Sequence, residues 1–244
     1  MKKRNTFQMA VADLLNKILK LFFEQRSLHV IGDSHADAFR FVDARYIWLK
    51  TNFKFCIVHG ASALGLANPR SKTNAMNVFS SYIENIEKNS SVLFCLGEVD
   101  CGFVIWYRAL KYNMSIEEQF ELSLNNYQNL ILRTAKYTKS VLVMSTPLPT
   151  IFDGKEWGDV AHARTEVKTP IRQRMDLTLR YNAALKIFCS QNQFEYVDVQ
   201  KYTLDPESHL INTYYLNSNP SDHHLDTEKI APVLQTELKS FNFN

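Results

Sequence analysis

No stretch of this sequence stays apolar for the ~20 residues that a bilayer-crossing helix needs, which excludes a helical membrane-spanning protein. Glycine and proline are scarce, seven of each in 244 residues, so collagenous, low-complexity and linker-rich architectures drop out. The four cysteines, Cys56, Cys95, Cys101 and Cys189, contain no Cys-x-x-Cys pair, and neither a zinc ribbon nor a dithiol redox motif is expected. Three of them lie in apolar strand or helix patterns, as free thiols do when packed as small hydrophobes, which fits a reducing, cytoplasmic setting. An excess of one charge is lacking too. Lysine and arginine total 28 against 25 acidic residues, and no basic stripe is interleaved with aromatics, so nucleic acid is not an expected partner. Neither Gly-x-Gly-x-x-Gly nor a P-loop occurs, and no organic cofactor is expected. His29, His59, His162 and His209 are scattered without metal-ligand spacing, so no metal is expected either.

What the chain does have is a core. With 45% hydrophobic and 22% charged residues it can bury one without staples, and disorder is excluded. Five short apolar runs, Leu28–Ile31, Phe55–Val58, Val92–Leu96, Val141–Met144 and Tyr196–Val199, read as strands. Between and after them lie helical patterns at Ala36–Lys50, Lys72–Asn89, Ile116–Tyr137, Ile171–Gln193 and Thr227–Phe241. Continuous apolar strands alternating with helices predict an α/β protein: a five-stranded parallel sheet covered on both faces, a flavodoxin-like three-layer α/β/α architecture.

Residues 1–27 read as an extension to a domain over 28–244. Met1–Arg4 followed by Met9–Phe23 imitates a secretory leader, but Asp13, Asn16, Lys17 and Lys20 interrupt the apolar stretch and no small-residue cleavage site follows. Leu14, Leu15, Ile18, Leu21 and Phe22 instead mark one face of an amphipathic helix. Such a helix packs on the domain or on a partner, or rests on an anionic membrane surface.

Two segments carry chemistry. Leu28-His29-Val30-Ile31-Gly32-Asp33-Ser34-His35 ends an apolar strand in a Gly-Asp-Ser turn, which would deliver a hydroxyl to the ligand-binding edge of a parallel sheet. Ser221-Asp222-His223-His224-Leu225, just before the last helical pattern, supplies a base and a carboxylate. Together with Gly60 after the second strand and Gly97 after the third, these blocks resemble the SGNH (GDSL-type) hydrolase superfamily over roughly residues 28–240. The resemblance implies an ester hydrolase with Ser34 as nucleophile and a histidine from the late loop as base. His224, followed by Leu225 and the helix, is better placed than His223. It also implies an orienting carboxylate three residues before the base. That position is Ser221 here, so Asp222, only two before, is the candidate, or a backbone carbonyl holds the ring in a dyad. The implied oxyanion hole comprises the N–H groups of Ser34 and Gly60 and the third block opened by Gly97. Its asparagine position is Val99, which donates nothing.

Glu98 and Asp100 in that block bind a sugar hydroxyl or pair with Arg108 or Arg164. Thr146–Thr169, long for a loop in a compact domain, carries Trp157 and Arg164 and lies at a strand end, so both are candidate substrate contacts, as is His223. Gly60-Ala61-Ser62-Ala63-Leu64 nearly matches a nucleophile elbow, but Leu64 replaces the second glycine and Ser62 reads as a loop hydroxyl or cap. The expected substrate is a small or carbohydrate acyl ester, acetyl in particular. An acyltransferase on the same site, a non-catalytic glycan-binding module and a scaffold held through the N-terminal helix are the alternatives.

Overall fold

The computed structural model describes residues 26–45, 51–154 and 169–241. The N-terminal helix expectation lies almost wholly outside these residues, as do Trp157, His162, Arg164 and Glu166 of the long loop. Within them, β1 (Arg26–Gly32), β2 (Thr51–Ile57), β3 (Ser91–Cys95), β4 (Ser140–Met144) and β5 (Glu195–Val197) form one parallel sheet in the order β2-β1-β3-β4-β5. Val30 of β1 sits opposite Phe55 of β2 and Leu93 of β3, which fixes the central register.

The strands are apolar throughout because both faces are covered. Successive side chains point to opposite faces. Leu28, Val30, Leu93 and Cys95 pack against α1 (Ala38–Arg45) and α8 (Thr227–Ser240) through Phe39 and Leu234. Ile31, Val92 and Phe94 face Phe79, Tyr127 and Tyr181 of α3 (Ala75–Ile83), α5 (Ile116–Thr134) and α6 (Ile171–Asn192). Local sequence sets the helix ends. Ser115 accepts from the Glu118 N–H while the Glu118 carboxylate accepts from the Ser115 N–H, a capping box at the start of α5. At its other end α6 stops where Gln193 turns left-handed, at φ 58°.

The differences from the sequence reading have local causes. The helix expected over Lys72–Asn89 is confined to Ala75–Ile83, because Asn74 at φ 50° breaks the chain into a left-handed turn just before it. A π-helical turn, Asp100–Val104, and α4 (Ile105–Tyr112) follow β3 where no helix is expected from sequence. Gly97 and Gly102 mask that helical signal, yet each answers a packing need. A Cβ on Gly97, at φ 112°, would meet Thr146 Oγ1 at 2.5 Å, and one on Gly102 would meet Glu98 Oε1 at 2.8 Å. Short helices α2 (Ala63–Leu66) and α7 (Gln200–Thr203) complete the set among the described residues.

Because β1 lies between β2 and β3, the chain leaves β1 to one side and adds every later strand on the other. The carboxyl ends of β1 and β3 are therefore the topological switch point, where open α/β sheets bind ligands.

Candidate active site

Gly32 ends β1 where nothing larger fits, since a Cβ there would lie 2.2 Å from the Cys95 carbonyl oxygen. The Asp33 N–H donates to that carbonyl at 3.1 Å, and the chain then winds into a 3-10 turn over Ser34–Asp37. Asp33 Oδ1 caps the turn, accepting from the His35 N–H at 2.9 Å with His35 Nδ1 at 3.1 Å. Asp33 is fully buried as the cap of this turn. Ser34 is left half-buried at the switch point.

From the other end of the chain, the loop before α8 brings His224 Nε2 to 2.9 Å from Ser34 Oγ across 190 residues of sequence. His224 Nδ1 lies 2.7 Å from Asp222 Oδ1, which also accepts from the His224 backbone N–H at 2.9 Å. That double acceptance explains how a two-residue spacing suffices: Asp222 folds back on its own loop and meets the backbone and the ring with one oxygen. Its other oxygen accepts from Asn217 Nδ2 at 3.0 Å, so Asn217 holds the carboxylate in place. Burial pushes the Asp222 carboxyl upward, but the two His224 donors and the neighbouring imidazoles outweigh it and hold it below the ordinary range. An ionised Asp222 accepting at Nδ1 fixes the tautomer whose Nε2 lone pair faces Ser34.

Asp100 corrects the sequence reading. It is fully buried, and its carboxylate accepts from the N–H groups of Ala63 and Leu64 at 2.7 and 2.9 Å and from Ser123 Oγ at 3.0 Å. It binds the start of α2 to α5 and presents nothing to a substrate. Burial raises it, the three hydrogen bonds pull it back, and the balance stands at about 6. Arg108, the other expected partner, donates to Gln119 instead, at 2.8 Å. Glu98 is also buried, with Oε2 3.9 Å from His35 Nε2. Gly60 stands exposed after β2 at φ 72°. Ser62 caps α2 by accepting from the Gly65 N–H at 3.0 Å. The ring of His223 lies beside that of His224, tilted by 35° with centroids 4.1 Å apart.

A cavity of about 240 Å³ opens beside Ser34 and His224 and runs between the sheet edge and α8. Its walls are largely apolar, with Met144, Pro147, Val199, Leu225, Ile230 and Leu234 among them. No sequence period marks this lining, because it is assembled from β4, the segments after β4 and β5, and α8. Asn217 also escaped the sequence reading, since an asparagine in a loop has many roles. The cysteines are no rivals to Ser34. All four are buried, and burial alone pushes the Cys56 thiol to about 11 and, with help from Glu195, the Cys189 thiol to about 12.

By sequence the chain matches no family model and no curated protein. By structure it resembles the acetyl xylan esterase AlAXEase, with a TM-score of 0.53 at 13% identity over 88% of this chain and 100% of that one. It resembles an acetylxylan esterase from Geobacillus stearothermophilus with a TM-score of 0.51 at 15% identity, over 89% and 95% of the two chains. A GDSL-like lipase from Bacteroides thetaiotaomicron gives 0.51 at 13% identity, over 92% and 96%. The fold is thus the one shared by GDSL-type hydrolases, the superfamily that the Gly-Asp-Ser block resembles.

Proposed function

We propose that this protein is a serine ester hydrolase. The observation that carries the reading is the continuous chain from Ser34 Oγ to His224 Nε2 at 2.9 Å and from His224 Nδ1 to Asp222 at 2.7 Å. As Ser34 Oγ attacks an acyl carbonyl, its proton passes to His224 Nε2, and Asp222 stabilises the imidazolium that forms. The alkoxide leaves with that proton, giving an acyl-Ser34 intermediate. Water then attacks the intermediate with His224 as base and regenerates the hydroxyl. The oxyanion is assigned to the backbone N–H groups of Ser34 and Gly60, with Gly97 shaping the adjoining turn and Val99 contributing no donor. One missing donor is worth roughly 2.7–4 kcal/mol, a slowing rather than a loss of chemistry. An intact relay of this kind favours an enzyme over a glycan-binding module.

Acetyl esters of carbohydrates are one substrate reading, in keeping with the acetylxylan esterases that share the fold. The apolar cavity beside Ser34 supports a second, an acyl group longer than acetyl, because an acetyl methyl would leave apolar walls of that extent mostly uncovered. Fluorophosphonate labelling, with hydrolysis of p-nitrophenyl esters from acetyl to octanoyl, tests both readings. Labelling at Ser34 with a maximum beyond acetyl is the expected result. A folded protein that neither labels nor turns over would overturn the hydrolase, and a maximum at acetyl would overturn the longer acyl group.

A further inference from the structure

Three imidazoles converge at this site, His35 from the turn after β1 and the adjacent pair His223 and His224 from the loop before α8. One ring nitrogen from each of His35, His223 and His224 lies within 4.8 Å of the other two. Ring centroids are 4.8 Å apart for His35 and His224, 5.8 Å for His35 and His223, and 4.1 Å for the adjacent pair. A hydrolase relay of the kind proposed above uses only one of them.

Two of the three are also held as metal-binding histidines are held. Asp33 Oδ1 lies 3.1 Å from His35 Nδ1, and Asp222 Oδ1 lies 2.7 Å from His224 Nδ1. A carboxylate on Nδ1 fixes the tautomer, raises ring basicity and leaves Nε2 as the ligand atom. His35 Nε2 has Glu98 Oε2 at 3.9 Å, and with Asp33 buried on the ring's other side the surroundings are negative, as a dication requires.

We propose that His35, His223 and His224 bind a divalent late first-row transition metal, zinc in particular, and that the bound ion switches off the serine. Imidazole donors suit zinc and its neighbours, and three protein ligands leave the fourth position open. Zn–N bonds of about 2.0–2.1 Å bring tetrahedral donors to roughly 3.3 Å from one another, so the cluster tightens on binding. His223 and His224 are half-buried on one loop, and with the His224 ring held by Asp222 the tightening falls mainly to rotation of the His223 side chain. The ion takes the His224 Nε2 lone pair that otherwise receives the Ser34 proton. Binding and ester turnover are therefore mutually exclusive. Metal binding stands independently of the hydrolase reading, whereas the switching rests on it.

The test is calorimetric titration of the full chain with zinc sulfate, Co²⁺ absorption spectroscopy, and labelling and ester turnover with and without zinc followed by EDTA. One zinc per chain is expected, with the intense visible Co²⁺ bands of a low-coordinate nitrogen site, and turnover lost on zinc addition and restored by the chelator. His223→Asn and His35→Gln should each weaken zinc by at least about tenfold, the lower bound for disturbing even an outer partner of a metal site. Ser34→Ala should bind zinc undiminished. If buried His35→Gln fails to fold, the half-buried His223→Asn still decides. No zinc binding by the wild type, or equal binding by the folded histidine variants, overturns the site. Zinc binding without any turnover would overturn the hydrolase and leave the site standing. Zinc binding without loss of an established turnover would overturn the switch.

Discussion

A serine hydroxyl is a weak nucleophile, and in the proposed hydrolase the reactivity of Ser34 depends on one imidazole nitrogen 2.9 Å away. The three members of the relay therefore differ in worth. On the proposed mechanism Ser34→Ala removes the atom that bonds to substrate and His224→Ala removes the proton acceptor, so each is expected to lower kcat by about 10⁶-fold. Asp222→Asn keeps an acceptor oxygen for the loop but invites the wrong His224 tautomer, and the expected loss is about 10⁴-fold. Steady-state ester hydrolysis by the three variants checks this order, and an Asp222 variant as inactive as the Ser34 variant would contradict it. The low-lying Asp222 carboxyl makes the orienting charge available throughout the neutral range. Asn217, which steadies the second oxygen of Asp222, belongs to the same chain of cause.

Among the elements, the segment after β3 departs furthest from expectation, and Asp100 is its centre. One buried carboxylate ties α2, the π-helical turn and α5 by accepting two N–H groups and a hydroxyl. In the folded protein its pKa is raised to about 6, above the 3.8 of a free aspartate. Between those values the native state holds a proton that the unfolded chain has released, so this group's contribution falls as pH rises from about 4 to about 6 and is level beyond. Asp100→Asn cannot titrate. Urea unfolding of both proteins from pH 4 to 7 should show the wild type losing stability relative to Asp100→Asn across that window. At pH 4 the variant should be weaker by about 1–3 kcal/mol, because its amide turns a donor towards one of the α2 N–H groups. A difference that is constant with pH would contradict the assignment. The same segment shows why Glu98 escaped a simple reading, for its carboxylate occupies the room that Gly102 leaves open.

Across the whole molecule, the sheet order puts Ser34 at the switch point, and α8 closes the apolar cavity over it. Leu234 lines that cavity, and Leu234→Trp should fill part of it. We expect kcat/KM for hexanoyl and octanoyl esters to fall by about tenfold relative to the acetyl ester, at an overpacking cost of about 1–3 kcal/mol in stability. Parallel loss on all chain lengths would place the acyl group elsewhere.

The alternation of apolar runs with helical patterns determined the layered parallel sheet, because burial on both faces leaves continuous apolar runs that local residues display. Gly32-Asp33-Ser34 determined the turn that carries Ser34 in the same way, since a capping aspartate and a glycine with no room for a Cβ act within a few residues. Strand ends moved by a few positions, as at β2, which begins at Thr51, because pairing with β1 rather than local composition decides where a ladder starts. Contacts distant in sequence were decided only in three dimensions. The approach of His224 to Ser34, the inward turn of Asp100, the carboxylate-backed His35 and the apolar cavity all depend on which loops meet at one edge of the sheet. Spacing along the chain carries no record of those meetings. They follow from the strand order and the angle at which each loop leaves it, and packing of the whole core sets both.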